Sequence, residues 1–285
     1  METDTQPDEF AGGRAYAMIG IDPITRLLGH ESGHLGPVAL TYHSVSPGHQ
    51  TPAWPWSTSL SRFESHLDFL AGNGWHCVTM SQLAQCTTPF PVRTIAITFD
   101  DGYIDNLHAL EALAQRGMTA TWFIVSGSIG RTPEWRDHGQ PQGRLLNADE
   151  LVKLRQAGME VGSHTATHAR LVSLPDQDLA HELALSRSQL ETVLGESVHG
   201  FAYPYGAWDN RVADAVRQAG YQYACTTDSG WALRDNNPYR IRRLTVFNHD
   251  STASLARKLY FGSNEASWFK AVRHVAHRVR SRVTT

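Results

Sequence analysis

Six short, nearly continuous apolar runs, each separated from the next by a helical pattern, leave this chain few architectures to adopt. The runs are Pro37–His43, Thr94–Asp100, Met118–Val125, Met159–His164, His199–Pro204 and Tyr221–Thr226. Between them, Phe63, Leu67 and Leu70 share one helical face, as do Leu151 and Leu154, while Asp178–Leu194 and Asn210–Gly220 form longer helical stretches. Several of these stretches stop at glycine (Gly117, Gly158, Gly195, Gly220), the residue that tolerates the left-handed turn at a helix end. Apolar strands alternating with helices imply a parallel sheet covered on both faces. No GxGxxG follows the first strand, which argues against a dinucleotide fold. The expected architecture is α/β, a (β/α) barrel in a single domain, where reactive groups collect at the C-terminal ends of strands. His43, Asp100 with Asp101, His164 and the stretch Tyr203–Gly206 all fall at such ends.

Along the chain, residues 1–36 read as a lead segment, 37–250 as the catalytic barrel, and 251–285 as a helical, basic C-terminal extension. With 285 residues and 41% hydrophobic content there is ample material for one large core. A formal charge of −3 gives no reason to expect a nucleic-acid partner. Three cysteines without CxxC spacing suggest neither a disulfide framework nor a thiolate metal site. The first thirty residues do not resemble a secretory leader and no run is long enough to span a bilayer, so a cytoplasmic location is expected.

The run Thr98-Phe99-Asp100-Asp101-Gly102-Tyr103 ends an apolar strand with two adjacent carboxylates. Neighbouring residues leaving a strand point in different directions, so one carboxylate can bind a metal while the other accepts a proton from water. Ser163-His164-Thr165-Ala166-Thr167-His168 supplies two imidazoles four residues apart, and a helical turn would put them on one side. Each motif alone is commonly a turn, a cap or an accident. Two His and one Asp at the ends of separate strands, however, make a donor set suited to Zn²⁺ or a similar divalent ion with positions left open. The segment His30-Glu31-Ser32-Gly33-His34 formally matches HExxH, but its glycines disfavour the helix that a zinc protease needs. It reads as a loop.

TFDDGY, SHTATH and Phe201-Ala202-Tyr203-Pro204-Tyr205-Gly206, in that order, resemble the successive motifs of the polysaccharide deacetylase family, carbohydrate esterase family 4. Tyr42-His43-Ser44 resembles the opening motif of the branch that begins with a YH pair. The similarity runs from about Val38 to Val246. It implies a distorted (β/α)₇ barrel that removes acetyl groups, usually from aminosugars, with one divalent ion, Zn²⁺ or else Co²⁺, Ni²⁺ or Mn²⁺. Carried over, it makes Asp100 the general base and Asp101, His164 and His168 the metal ligands, and gives the Tyr205 N–H to an oxyanion hole. Tyr203 and Pro204 would border the substrate.

Two positions depart from the family pattern. Ala202 stands where many members have an arginine that orients the base; Arg242 or Arg243 could reach in instead, with Arg243 favoured. The final Leu-x-His motif has no clear counterpart, leaving His249 and His43 as candidates for the general acid. Asp228 and Trp231 resemble the fourth motif, Asp228 orienting an acid or arginine, and Trp231 either lining a sugar groove or packing in the core.

Trp268, Val272, Val275, Val279 and Val283 follow helical spacing with Lys270, Arg273, Arg278, Arg280 and Arg282 between them. Such a helix either packs on the barrel with its basic face in water or makes peripheral contact with an anionic membrane. The expected partner at the site is an acetylated sugar, polymeric or carrier-linked. The alternatives are a deformylase or amidase on another small C–N substrate, and a non-catalytic glycan-binding member.

Overall fold

The computed structural model describes residues 21–26, 36–85, 90, 91, 93–273 and 276. The HExxH segment, Cys86 and most of the lead segment lie outside them. Ten strands are present among the described residues: β1 (Val38–Tyr42), β2 (Ser44–Ser46), β3 (Ser57–Ser59), β4 (His76–Val78), β5 (Thr94–Phe99), β6 (Thr121–Ile124), β7 (Glu160–Ser163), β8 (Gly200–Ala202), β9 (Tyr223–Cys225) and β10 (Leu244–Thr245). The main α-helices among the described residues are α1 (Leu60–Gly72), α2 (Met80–Gln85), α3 (Asn106–Ala114), α4 (Ala148–Gln156), α5 (Asp176–Leu194), α6 (Asn210–Gln218) and α7 (Thr252–Phe261).

All six expected strands form, trimmed at their ends. They and β10 make one parallel sheet of order β10-β1-β5-β6-β7-β8-β9. Every residue of β1, β5 and β6 is buried, as a sheet with both faces covered requires. The sheet nearly closes on itself. Ile241 bridges Cys225 of β9, and three residues later Leu244 and Thr245 pair with Leu40 and Thr41 of β1. The result is a seven-staved barrel, matching the (β/α)₇ expectation.

Its distortion has a local cause. The short strand β4 pairs with Thr94, Ile95 and Ala96, so β6 reaches β5 only at Thr98 and Phe99. Below that point Met80 N–H donates to Thr121 Oγ1 at 2.9 Å, so a side chain takes over from the ladder. Outside the sheet, some helices start where a side chain satisfies their first N–H groups. Asn147 and Glu150 form a reciprocal capping box on α4, and Asp209 accepts from Val212 N–H at α6. The core includes the stacked rings of Phe99 and Trp122, 4.6 Å between centroids.

The C-terminal extension begins with α7, which packs against α1. Residues 268–273 are helical, with Trp268 and Phe269 exposed and Ala271 buried. Apart from residue 276, the remainder of the expected basic helix lies outside the described residues. Among the described residues no helix is long and apolar enough to cross a membrane.

His66 of α1 is buried between Tyr42 OH, 3.1 Å from Nδ1, and the Asp250 carbonyl, 3.1 Å from Nε2. Nε2 therefore donates and Nδ1 accepts, as in a neutral ring. Burial pulls its pKa down to about 4, against the Asp250 carbonyl and charge, which favour the protonated form. Between pH 6.5 and about 4 the unfolded chain binds a proton that the folded chain refuses. Stability from this site is therefore complete above pH 6.5 and declines as pH falls, by up to about 3 kcal/mol. Denaturant unfolding at stepped pH should show a steeper acid loss in the wild type than in His66→Gln. Equal slopes would refute the assignment.

Candidate active site

The ends of β5, β7, β8 and β10 converge at one mouth of the barrel. Directly after β5, Asp100 is anchored by its N–H to Tyr42 O at 3.0 Å, and its carboxylate meets Arg243 in a two-point pair. Arg243 NH1 donates to Oδ1 at 2.7 Å and NH2 to Oδ2 at 2.8 Å. The guanidinium is fully buried, and two of its three remaining donors go to Thr98 Oγ1 and the Thr226 carbonyl, each at 3.0 Å. Burial works against ionising Asp100, but the Arg243 charge, followed by His164, holds the carboxyl below its usual range. Arg242 turns the other way and pairs with Asp235.

Asp101 leaves the strand with φ 72°, a conformation that turns its side chain from its neighbour's path. Its Oδ1 lies 3.5 Å from His164 Nε2 and 3.3 Å from His168 Nε2, and it is buried without a hydrogen bond. Burial opposes its charge, and His168, His43 and His164 nonetheless hold the carboxyl well below the usual range. The His164 Nδ1 donates to the Ala202 carbonyl at 2.8 Å, which fixes the tautomer and leaves Nε2 with its lone pair toward Asp101. Burial lowers the pKa of His164 to about 4, keeping the ring neutral. One carboxylate oxygen and two ring nitrogens thus converge within 4.8 Å, a group that could hold a divalent ion.

The segment joining the two histidines is not the helical turn that their spacing suggested. Thr165 and His168 have φ of 67° and 63°, and the backbone between them is clamped from outside. Glu182 of α5 accepts from Ala166 N–H and Thr167 N–H at 3.0 Å each, and Thr165 Oγ1 accepts from His168 N–H at 2.9 Å. A carboxylate on a neighbouring helix does the orienting. His168 is further held between the stacked ring of Trp135, 4.4 Å away, and Tyr205, whose hydroxyl lies 3.0 Å from Nδ1.

Tyr205 sits in a 3₁₀ turn, Pro204–Gly206, with φ 61°. Gly206 follows at φ 63°, and a Cβ there would lie 1.8 Å from Thr227 Oγ1, so glycine is required. Six non-glycine residues among the described ones have positive φ, and four of them (Asp101, Thr165, His168, Tyr205) are at this mouth. Such backbone costs about 1–3 kcal/mol per residue and clusters where function demands it.

A cavity of about 580 Å³ opens over these groups. His43 lines it, its ring edge-on to Trp54 at 5.9 Å, its Nδ1 buried without a hydrogen bond and its carbonyl fixed by the Asn106 amide at 2.7 Å. Tyr203 also lines it, with its hydroxyl tied to the Tyr239 carbonyl. Pro204 is buried beneath. His249 is not brought in: it is exposed, stacked on Phe247. Asp228 stays outside the cavity; its carbonyl accepts from the Arg243 N–H at 3.2 Å and its carboxylate lies 4.0 Å from Arg240 Nε. Trp231 packs over Gly36 and Gly262 and does not border the groove.

Sequence reasoning left unassigned the walls contributed by Trp54, Trp56, Trp135 and Phe247. The three tryptophans belong to the two loops 46–59 and 126–143, whose richness in tryptophan, proline and serine was the available signal. Trp54 Nε1 donates to Asp137 Oδ2 at 2.9 Å, joining the two loops across the mouth.

Residues 87–224 match the sequence model of the family described as polysaccharide deacetylase. The chain is 31% identical over 212 residues to YxkH of Bacillus subtilis (strain 168), named as a polysaccharide deacetylase, covering 73% of this chain and 70% of that protein. It is 24% identical over 207 residues to the poly-β-1,6-N-acetyl-D-glucosamine N-deacetylase of Staphylococcus epidermidis, covering 68% and 69%. Among solved structures, BC0361, a polysaccharide deacetylase from Bacillus cereus, superposes with TM-score 0.66 at 23% identity over 79% of this chain and 69% of its own. IcaB from Ammonifex degensii gives TM-score 0.66 at 24% identity over 79% and 97%. These last two likenesses establish the fold.

Proposed function

From the premise that this chain belongs to the polysaccharide deacetylase family, we propose that it hydrolyses the N-acetyl group of an aminosugar, with Asp100 as general base. The observation that carries the reading is the pairing of Asp100 with Arg243 beside the Asp101/His164/His168 group, at one mouth of the barrel. The residues fit a divalent ion: Asp101 Oδ1 is a buried acceptor lacking a donor, and it faces a neutral imidazole nitrogen. Asp101, His164 and His168 would hold the ion, which when bound supplies Lewis-acid polarisation of the acetyl carbonyl and a lowered pKa for water.

The chain's own groups account for the remaining roles. Arg243 keeps Asp100 ionised and fixes both its oxygens, so the carboxylate takes a proton from water as that water attacks the acetyl carbon. The Tyr205 N–H donates to the oxyanion that forms. His43, facing the cavity, protonates the departing amine, and acetate and free amine are the products. Tyr203, Trp54 and Phe247 border the sugar. Zn²⁺ is the ion that the His₂Asp set suits best, with Co²⁺, Ni²⁺ or Mn²⁺ as substitutes.

The test is acetate release from β-1,6-linked N-acetylglucosamine oligomers, chitin oligomers and peptidoglycan fragments. Release should stop in chelator and return with added Zn²⁺. Release of formate or another acid from a non-sugar amide would favour the amidase reading instead. Zinc binding without release of any acid would indicate a glycan-binding member. His168→Ala should weaken zinc binding at least about tenfold, measured by competition with a chromophoric chelator.

A further inference from the structure

Behind the cavity wall lies a buried ammonium that the reaction does not use. Lys258 of α7 donates from Nζ to the Thr245 carbonyl at 2.8 Å, pairs with Asp250, and stands 4.7 Å from the centroid of the Phe247 ring. Asp250 Oδ2 also accepts the Phe247 N–H at 2.8 Å, and its Oδ1 accepts from Ser254 OH at 2.9 Å. Between Phe247 and Asp250 sits Asn248. Its N–H donates to the Pro55 carbonyl at 2.7 Å and its side-chain amide to the Pro52 carbonyl at 2.9 Å, while Arg62 donates to the Asn248 carbonyl. One turn, residues 247–250, therefore places Phe247 and also tethers the segment that carries Trp54 and Trp56.

An ammonium has three donors and no acceptor, so it can join a carbonyl and a carboxylate that would otherwise be left apart in a dry interior. Burying it is costly, and an apolar side chain of equal length would fill the space between helix and barrel without that cost. What the apolar chain would not do is fix Thr245 and Asp250 relative to each other. Neither Lys258, Asp250 nor Asn248 lines the cavity, whereas Thr245, Phe247, Trp54 and Trp56 all do. Arg243 is held independently, by Thr98, Asp100 and the Thr226 carbonyl.

We propose that Lys258 is a positioning residue for the aromatic wall made by Phe247, Trp54 and Trp56, and that it governs sugar binding and leaves the acyl-cleavage step alone. The proposal rests on the deacetylase reading for its substrate but not for its geometry, so it is tested in two arms. Without substrate, Trp54 and Trp56 lie 5.6 Å apart and should give an exciton couplet from their strong indole transition in the far-ultraviolet dichroism spectrum. Lys258→Met should reduce this couplet, and Lys258→Arg should restore it, with zinc affinity unchanged in both. With a β-1,6-linked N-acetylglucosamine pentasaccharide, Lys258→Met should raise KM at least about fivefold with kcat within about twofold, and Phe247→Ala should reproduce the KM rise. If Lys258→Met does not fold, Asn248→Ala, which cuts the Pro52 link and the exposed contact with His249 Nδ1, loosens the same turn and serves in its place. An unaltered couplet, or a fall in kcat with KM unchanged, would overturn the proposal. A wild type that releases no acetate would count against the deacetylase reading, while the dichroism arm would still decide the role of Lys258.

Discussion

Replacing Asp100 with Asn should lower kcat/KM for acetate release by at least about 10³-fold while leaving zinc affinity within a few-fold of the wild type. The amide keeps the shape of the carboxylate but cannot accept a proton at neutral pH; it also removes the counter-charge of the buried Arg243, so urea unfolding of the same variant separates lost stability from lost proton transfer. Zinc affinity is the informative control, because Asp101, His164 and His168 form a separate group whose atoms lie within 4.8 Å of one another. A parallel loss of metal and activity would mean that Asp100 is a ligand and not a base. An Asp100→Asn enzyme with near-normal turnover would remove the proposed mechanism altogether. The assay is acetate release under saturating zinc beside a chelator-competition titration of the same samples.

The second large effect is expected at Arg243. Converting it to Met leaves Asp100 buried with no counter-charge, a defect that costs about 3–5 kcal/mol in comparable settings. The protein can answer by protonating Asp100. Its carboxyl is held below the usual range in the wild type, where Arg243 outweighs burial with help from His164. Without the guanidinium, burial raises it. The acid limb of the pH–rate profile, set by the ionised base, should then move to higher pH, and activity near neutrality should drop at least about 10²-fold. Arg243→Lys keeps a charge but loses the two-point geometry, so it should recover stability more fully than turnover. Full turnover in Arg243→Lys, or a pH–rate profile in Arg243→Met that does not move, would show that Asp100 is set by something else. Urea unfolding and pH-dependent kinetics on the two variants supply both readouts.

The barrel was legible because most of its strands lie in nearly continuous apolar runs, which need no tertiary context to be seen. The strands that escaped, β2, β3, β4 and β10, are each two or three residues long. β10 is two residues long, and β4 has an exposed first residue, so neither carries enough pattern to be read. The donor set of the site was legible as residue types at strand ends. Its geometry was not, since His164 and His168 are aligned by Glu182, a residue on a helix that nothing in the local motif points to. Similarly, Arg243 could be named as a substitute for the missing arginine at Ala202, but its burial depends on a strand that closes the barrel. His249 and Trp231 illustrate the limit from the other side: each occupies a suggestive place in the sequence, and each is turned away from the cavity by the path of the chain after Thr226.

The closure of the barrel also sets an order of events during synthesis. Asp100 and the guanidinium that neutralises it are separated by 143 residues and meet only when the last stave docks against the first. A growing chain acquires both aspartates, both imidazoles and Tyr205 well before Arg243 leaves the ribosome. Throughout that interval the buried position of Asp100 has no cation to fill it, and an ionised side chain is kept in water. Final closure and the pairing of the carboxylate are therefore one event, and a fragment ending before Arg243 lacks the guanidinium that accompanies a charged Asp100 in its buried place.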